Sequence, residues 1–377
     1  MTSRDRFLKT MLFGTPDRVP LNPGHGREST RARWRADGLP AEISTGNYNE
    51  YAYRQAGGSL ALDNWGPGFH VNERMIPLFE EKVIEEKADS QIVQDWKGNI
   101  CEIGKEFTLA HLRNASDFCT RRWIKCPVED WQDWQAMKAR YLAATPERLP
   151  ANAPELTAQL AGRDWPVTLH FSGPFWQLRE WLGFEQLCML FYDDPKLAQD
   201  MIEFWTDYIE ALLRRCFEYV IPDCVHLSED MAYKCFSMIS PAMARQYLLP
   251  CWKRWGEVIR EFNVPVYAID SDGYIGELIP LWIEAGVNAC DPIEVAAGND
   301  INEFRQRFGR DMAYSGGVDK RAMAKGGAVL DAELQRLRPV VEDGGFIPSC
   351  DHGVPADVSW PNYQYYVESL AKLTGWL

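Results

Sequence analysis

From about residue 165 onward, short apolar runs alternate with polar loops and longer amphipathic stretches. The runs at 166–171, 223–228, 264–269, 286–290 and 312–315, and the Phe346-Ile347 step, are too short for helices and are bounded by Gly, Pro or Asp. They read as buried strands. Between them the apolar positions recur at helical spacing, predicting helices from Pro174 through Leu187, from Pro195 to about Tyr219, and from Pro241 to Phe262 with a bend at Pro250. Further helices are predicted through Glu284, over 301–308 and over roughly 328–341.

The first half is less regular. A helix over 2–13 is capped by Thr2 or Ser3, and a basic helix surrounds Arg31, Arg33 and Arg35. Runs at 19–22 and 59–66 read as two further strands, and alternation over 81–107, with a Lys97-Gly98-Asn99 turn, predicts an inserted antiparallel β-hairpin region. Repeated strand–loop–helix units mark a parallel α/β fold. The count of about eight strands predicts a (β/α)8 TIM barrel, one domain over 1–377 with an N-terminal helical and β-hairpin elaboration. An open doubly wound sheet is disfavoured, because no Gly-rich dinucleotide loop follows a strand and polar residues stand at almost every strand end.

Composition narrows the function. A net charge of -14 argues against a nucleic-acid binder or an anionic-membrane binder. No apolar run has signal-peptide or membrane-spanning length, and the ten cysteines form no Cys-x-x-Cys framework, so the expected setting is the reduced cytoplasm. The acidic surface is compatible with a monomer or a homodimer. Fifteen tryptophans could build aromatic walls around a ligand as well as core.

In a barrel the strand C-termini converge on one face, so the polar residues there are the candidates: His25, His170, His226, Glu229, Asp230, Asp270, Asp272, Asp291, Asp319 and His352. Imidazoles and carboxylates in one cavity shift one another's pKa values and make acid/base pairs. Arg27, close to the first strand end, is suited to an anionic group. Asp270 and Asp272 share a strand face by the two-residue period and with His352 could ligate a divalent metal such as zinc. His-Glu-x-x-His, P-loop and Gly-x-Ser-x-Gly motifs are missing, which removes zincins, P-loop enzymes and α/β-hydrolases.

Several segments resemble the uroporphyrinogen decarboxylase superfamily: Arg6-Phe7-Leu8, Pro16-Asp17-Arg18-Val19-Pro20, Phe171-Ser172-Gly173-Pro174-Phe175-Trp176, Ile239-Ser240-Pro241, Ser271-Asp272-Gly273, Gly316-Gly317-Val318-Asp319 and His352-Gly353-Val354-Pro355. The resemblance implies a (β/α)8 barrel with its site at the strand ends, and a role for His352. Departures point away from the haem-pathway decarboxylase. Gly24-His25-Gly26-Arg27-Glu28 stands where that enzyme has an arginine-rich segment, Trp181 where it has a tyrosine, and Asp63 loosely where it has an aspartate. The corrinoid-linked methyltransferases of the superfamily carry zinc on His-x-Cys and a late Cys; here Asp270-Ser271-Asp272 and His352 occupy those places.

The expected function is methyl transfer from a small methoxylated donor to a corrinoid protein. Asp230, Asp270, Asp272 and His352 are the expected catalytic groups. Arg27, His25, His170, His226, Glu229, Trp176 and Trp181 are expected around the small-molecule substrate. The alternatives are a cofactor-free decarboxylase and a non-catalytic small-molecule-binding barrel.

Overall fold

The computed structural model describes residues 1–114 and 119–377. Two sheets organise the chain. The first is antiparallel, in the order β1 (Lys82–Glu86), β2 (Ser90–Gln94), β3 (Ile100–Gly104), β4 (Arg121–Lys125). The expected hairpin over 81–107 therefore gains a fourth strand. The second sheet is parallel and sequential: β5 (Thr168–Ser172), β6 (Cys224–Ser228), β7 (Val266–Asp270), β8 (Ala289–Ile293), β9 (Ala313–Val318) and β10 (Phe346–Cys350). Helices between the parallel strands bury their apolar faces against the outward side chains, such as Leu169, Phe171, Val225, Leu227 and Ile269.

Six of the eight expected parallel strands are present; those at 19–22 and 59–66 are not. Pro20 removes a ladder donor from the first segment and Pro23 another directly after it. Leu60 and Trp65 face solvent in the second, so no apolar face holds it to a sheet. Extended chain nevertheless spans the place between β10 and β5. Gly26 bridges Val354 in parallel, Val354 N–H donates to His25 O at 3.0 Å, and on the far side Ser172 N–H donates to the Glu73 carboxylate at 2.9 Å. Gly24 lies so close to Cys350 that a Cβ would approach the cysteine Cβ to 3.1 Å.

The N-terminal helix, Ser3–Met11, is capped by Thr2 as expected and closes the lower end of the barrel. Phe7, Leu8 and Met11 pack on Cys224, Val266, Ala268, Ala289, Ala313 and Ile347. These inward residues are mostly small, and above the helix plug the lumen keeps a cavity of about 200 Å³.

Two local irregularities matter for the site. The helix expected from Pro174 through Leu187 breaks at Gly183 (φ 78°), giving Pro174–Leu182 and Phe184–Asp193. The helix expected to bend at Pro250 instead widens into a π-turn over Ala244–Leu248 before continuing as Leu249–Glu261; proline cannot supply the N–H that the preceding turn needs.

Candidate active site at the strand ends

The inward positions of β6, β7 and β8 form the floor. His226, Ala268 and Ala289 are in register across these three strands. Because β7 offers only a methyl group at this level, the His226 ring reaches past it to β8, and Nε2 lies 2.8 Å from Asp291 Oδ1. A register shift after Cys290, at Asp291-Pro292, accompanies this contact in β8. Burial opposes charge on His226, but the Asp291 carboxylate outweighs it and pushes the imidazole up to about 9. Its Nδ1 is buried without a partner. His170, level with His226 on β5, has its ring centroid 5.0 Å away; desolvation and the neighbouring imidazole push it down to about 4.

Asp270 stands one inward position above Ala268 at the end of β7. Burial pushes its carboxyl up to about 7; His226 counteracts this, while Asp291, Asp272 and Asp230 add to it. No Lys or Arg pairs with it among the described residues. A carboxyl that is partly protonated near neutrality therefore stands at the end of β7.

The rim is built by the loops after β7, β8 and β10. His352 Nε2 lies 3.2 Å from Asp272, and its Nδ1 lies 3.1 Å from Arg27 Nη2. The Asp272 hydrogen bond raises the His352 pKa despite burial. Asp351 does not orient this ring. It is fully buried and accepts from the backbone N–H groups of Val295 (3.0 Å) and Lys320 (3.2 Å), tying three loops together. Lys320 Nζ pairs with Glu294 at 2.9 Å. Cys350 is a packed thiol, pushed up to about 12 by burial.

On the β5–β6 side, two expected substrate contacts prove to be structural. Glu229 has no exposed surface; its carboxylate accepts from Trp252 Nε1 and from the N–H groups of Phe175 and Trp176, at the start of helix Pro174–Leu182. Only glycine fits at 173, because a Cβ there would collide with that carboxylate. Trp181 is likewise fully buried in aromatic core, donating Nε1 to Tyr141 Oη at 3.0 Å, and reaches only the back wall of the cavity beside Glu73 and Trp96. Asp63 pairs with the buried Arg6 rather than entering the mouth. Asp230 adopts a left-handed backbone (φ 39°), held by Arg179, which donates to its carbonyl at 3.0 Å and its carboxylate at 2.8 Å. Trp176 lies under the same arginine, 4.3 Å from guanidinium carbon to ring centroid. His25 is exposed at the outer edge, with Nδ1 3.3 Å from Tyr48 Oη.

Sequence reasoning missed Glu73, whose carboxylate accepts from Ser172 N–H and from its hydroxyl at 2.6 Å. It also missed Trp96 and Lys97, carried to the mouth by the β2–β3 turn and lining a cavity with Glu73, Ser172 and Trp176. The turn itself was visible as Lys97-Gly98-Asn99; its position over the barrel was not.

The expected metal ligands do not assemble. Among the described residues no group of three His, Cys, Asp or Glu side chains is placed to hold a metal ion. His352 and Asp272 form a pair flanked by a guanidinium, and Asp270 belongs to the group below them. A cation beside Arg27 would be repelled, so the donor set does not fit zinc.

A barrel carrying acid/base groups at its strand C-termini defines the class. Residues 124–373 match the family described as uroporphyrinogen decarboxylase (URO-D), and the chain belongs to that family of enzymes. In overall fold it is similar to a methyltransferase from Methanosarcina mazei, at 12% identity and a TM-score of 0.59, covering 99% of each chain. A B12-independent methionine synthase from Shewanella sp. W3-18-1 is similar over 59% of this chain and 64% of that one, at 13% identity and a TM-score of 0.40. No curated protein matches the sequence. No helix among the described residues is long and apolar enough to cross a membrane.

Proposed function

We propose that this protein transfers a methyl group from a small methoxylated donor to a corrinoid carried by a separate protein, and that Asp270 protonates the departing oxygen. The observation that carries the reading is the carboxyl of Asp270, held up at about 7 at the end of β7, near His226, Asp291, Asp272 and Asp230. Breaking a methyl–oxygen bond leaves the electron pair on oxygen, and a positioned acid that delivers a proton there lowers the barrier. The corrinoid supplies the reduced nucleophile that accepts the methyl group. The chain's own residues hold the donor, supply the proton and keep the donor oxygen against Asp270. In this reading solvent returns the proton to Asp270 after each turnover.

A decarboxylase reading is less well supported by the charges. Its reacting carboxylate would need a cation beside the strand-end acids, yet there Arg27 contacts His352, Arg179 holds Asp230 and Lys320 holds Glu294. Asp230, Asp270, Asp272 and Asp291 make the mouth acidic, which favours an uncharged reacting end. The reading sets the enzyme in the cytoplasm, consistent with ten free cysteines.

The test is to supply the purified protein with cob(I)alamin and a panel of methoxylated donors and follow the corrinoid absorption. Methylation that disappears in Asp270→Asn supports the proposal. CO2 release without corrinoid, or no methylation across the panel, overturns it.

A further inference from the structure

On the β2–β3 side of the mouth, the antiparallel sheet and helix Pro174–Leu182 enclose a cleft whose lining includes none of Asp270, His226, Asp291 and His352. It consists of two cavities, about 230 and 570 Å³, that share Trp176 and Glu180 in their walls. The smaller reaches Glu73, Trp96 and Lys97; the larger is lined by Arg121, Trp123, Arg179, Phe184, Tyr233 and Met238. The larger is of a size ordinary for organic ligands.

Its cations are arranged in a consistent way. Arg74 lies over Trp96 (4.7 Å), Arg121 over Trp123 (4.9 Å) and Arg179 over Trp176 (4.3 Å). Stacking fixes a guanidinium by one face and leaves its edge N–H donors in the plane, where they can grip a carboxylate. Arg179 is already committed to Asp230, and Lys97 to Glu180. Among the described residues, no carboxylate lies within ion-pair distance of Arg74 or Arg121, in a chain with 54 acidic residues against 40 Lys and Arg. Positive charges also converge here: burial pushes the Lys97 ammonium down to about 8, Asp95 opposes it, and Arg121, Arg74 and Arg179 each add to the lowering.

We propose that this cleft binds a flat aromatic carboxylate, its ring between Trp123 and Trp176 and its carboxylate on Arg121. An aliphatic acid would forgo the stacking, and a neutral aromatic would leave Arg121 unpaired. The site stands on its own and does not require methyl transfer.

Isothermal titration of the purified full chain with 2-naphthoate, in the absence of any corrinoid or donor, tests it. The expected result is saturable one-site binding, with 2-naphthalenemethanol and cyclohexanecarboxylate at least tenfold weaker. Arg121→Gln, at a solvent-exposed position of β4, raises the Kd about tenfold, while Arg338→Gln, on the outer helix Gly327–Asp343, leaves it unchanged. No saturable binding at millimolar ligand, equal affinity for acid and alcohol, or an unchanged Kd in a folded Arg121→Gln protein overturns the proposal. Because no turnover is measured, a failed methylation assay leaves this result standing.

Discussion

Arg27 and His352 meet at 3.1 Å through Nη2 and Nδ1, so the guanidinium contact requires a lone pair on that ring nitrogen. The opposite nitrogen faces Asp272. The imidazole is thus held as the Nε2–H tautomer between a cation that disfavours its second proton and a carboxylate that favours it. Removing the carboxylate takes away the largest influence that favours that proton, leaving burial and Lys320 against the weaker pull of Glu294. In Asp272→Asn the His352 titration should move down, read from its imidazole proton resonances; an unmoved or raised midpoint would contradict the pairing.

Asp270 should reveal itself twice. Asp270→Asn should cut turnover by roughly 10²–10⁴-fold, the range for loss of a positioned acid. Its stability effect has a definite sign. The folded pKa, about 7, is raised above the unfolded value, so the associated stability is present below about pH 4 and is lost as pH rises through 7. The asparagine variant avoids that loss and should melt a few degrees higher than the parent at pH 8, with the advantage gone at pH 4. Calorimetry at the two pH values checks it.

His226 gives a related dependence in a higher window. Its pKa is raised to about 9, so its pairing with Asp291 stabilises the fold fully below about pH 6.5, and that contribution is lost as pH rises through 9. Asp291→Asn should cost on the order of 2 kcal/mol at pH 6 and markedly less at pH 10. Denaturant titration at both values would expose a pH-independent cost, which is incompatible with an ionised pair.

Glu229 should behave as structure. Glu229→Ala strands three buried donors, those of Trp252, Phe175 and Trp176, and should lower stability by about 3 kcal/mol at roughly 1 kcal/mol each. Chemical denaturation measures this directly; a fully stable variant would return Glu229 to the list of substrate contacts.

What the sequence made legible was the repeating part of the molecule. The six parallel strands and the groups at their ends follow from period-two and helical patterns, which depend on neighbours along the chain. The two missing strands show where the pattern misleads: the run at 19–22 has the right side chains, but prolines withdraw the N–H groups that make a ladder. Residue type also did not separate Glu229 from Asp270. Both are acidic residues at strand ends, and only the donors arriving from helix Leu249–Glu261 and helix Pro174–Leu182 turn one of them into a buried brace. Trp96 and Lys97 escaped for the same reason, since a hairpin's sequence says where it turns and not what it leans over.

The segment between β10 and β5 gives the barrel a seam. The parallel ladder runs from β5 to β10 as a ribbon with two ends, and those ends are joined by side chains, a single bridge and loops. The segment from Gly57 to Glu73 contributes no strand, so a change of length in its exposed stretches, away from Asp63 and Phe69, leaves every strand register as it is. The opening of the barrel can widen or narrow along one side while the acid groups of β6, β7 and β8 stay fixed, which separates the evolution of substrate size from the evolution of the chemistry.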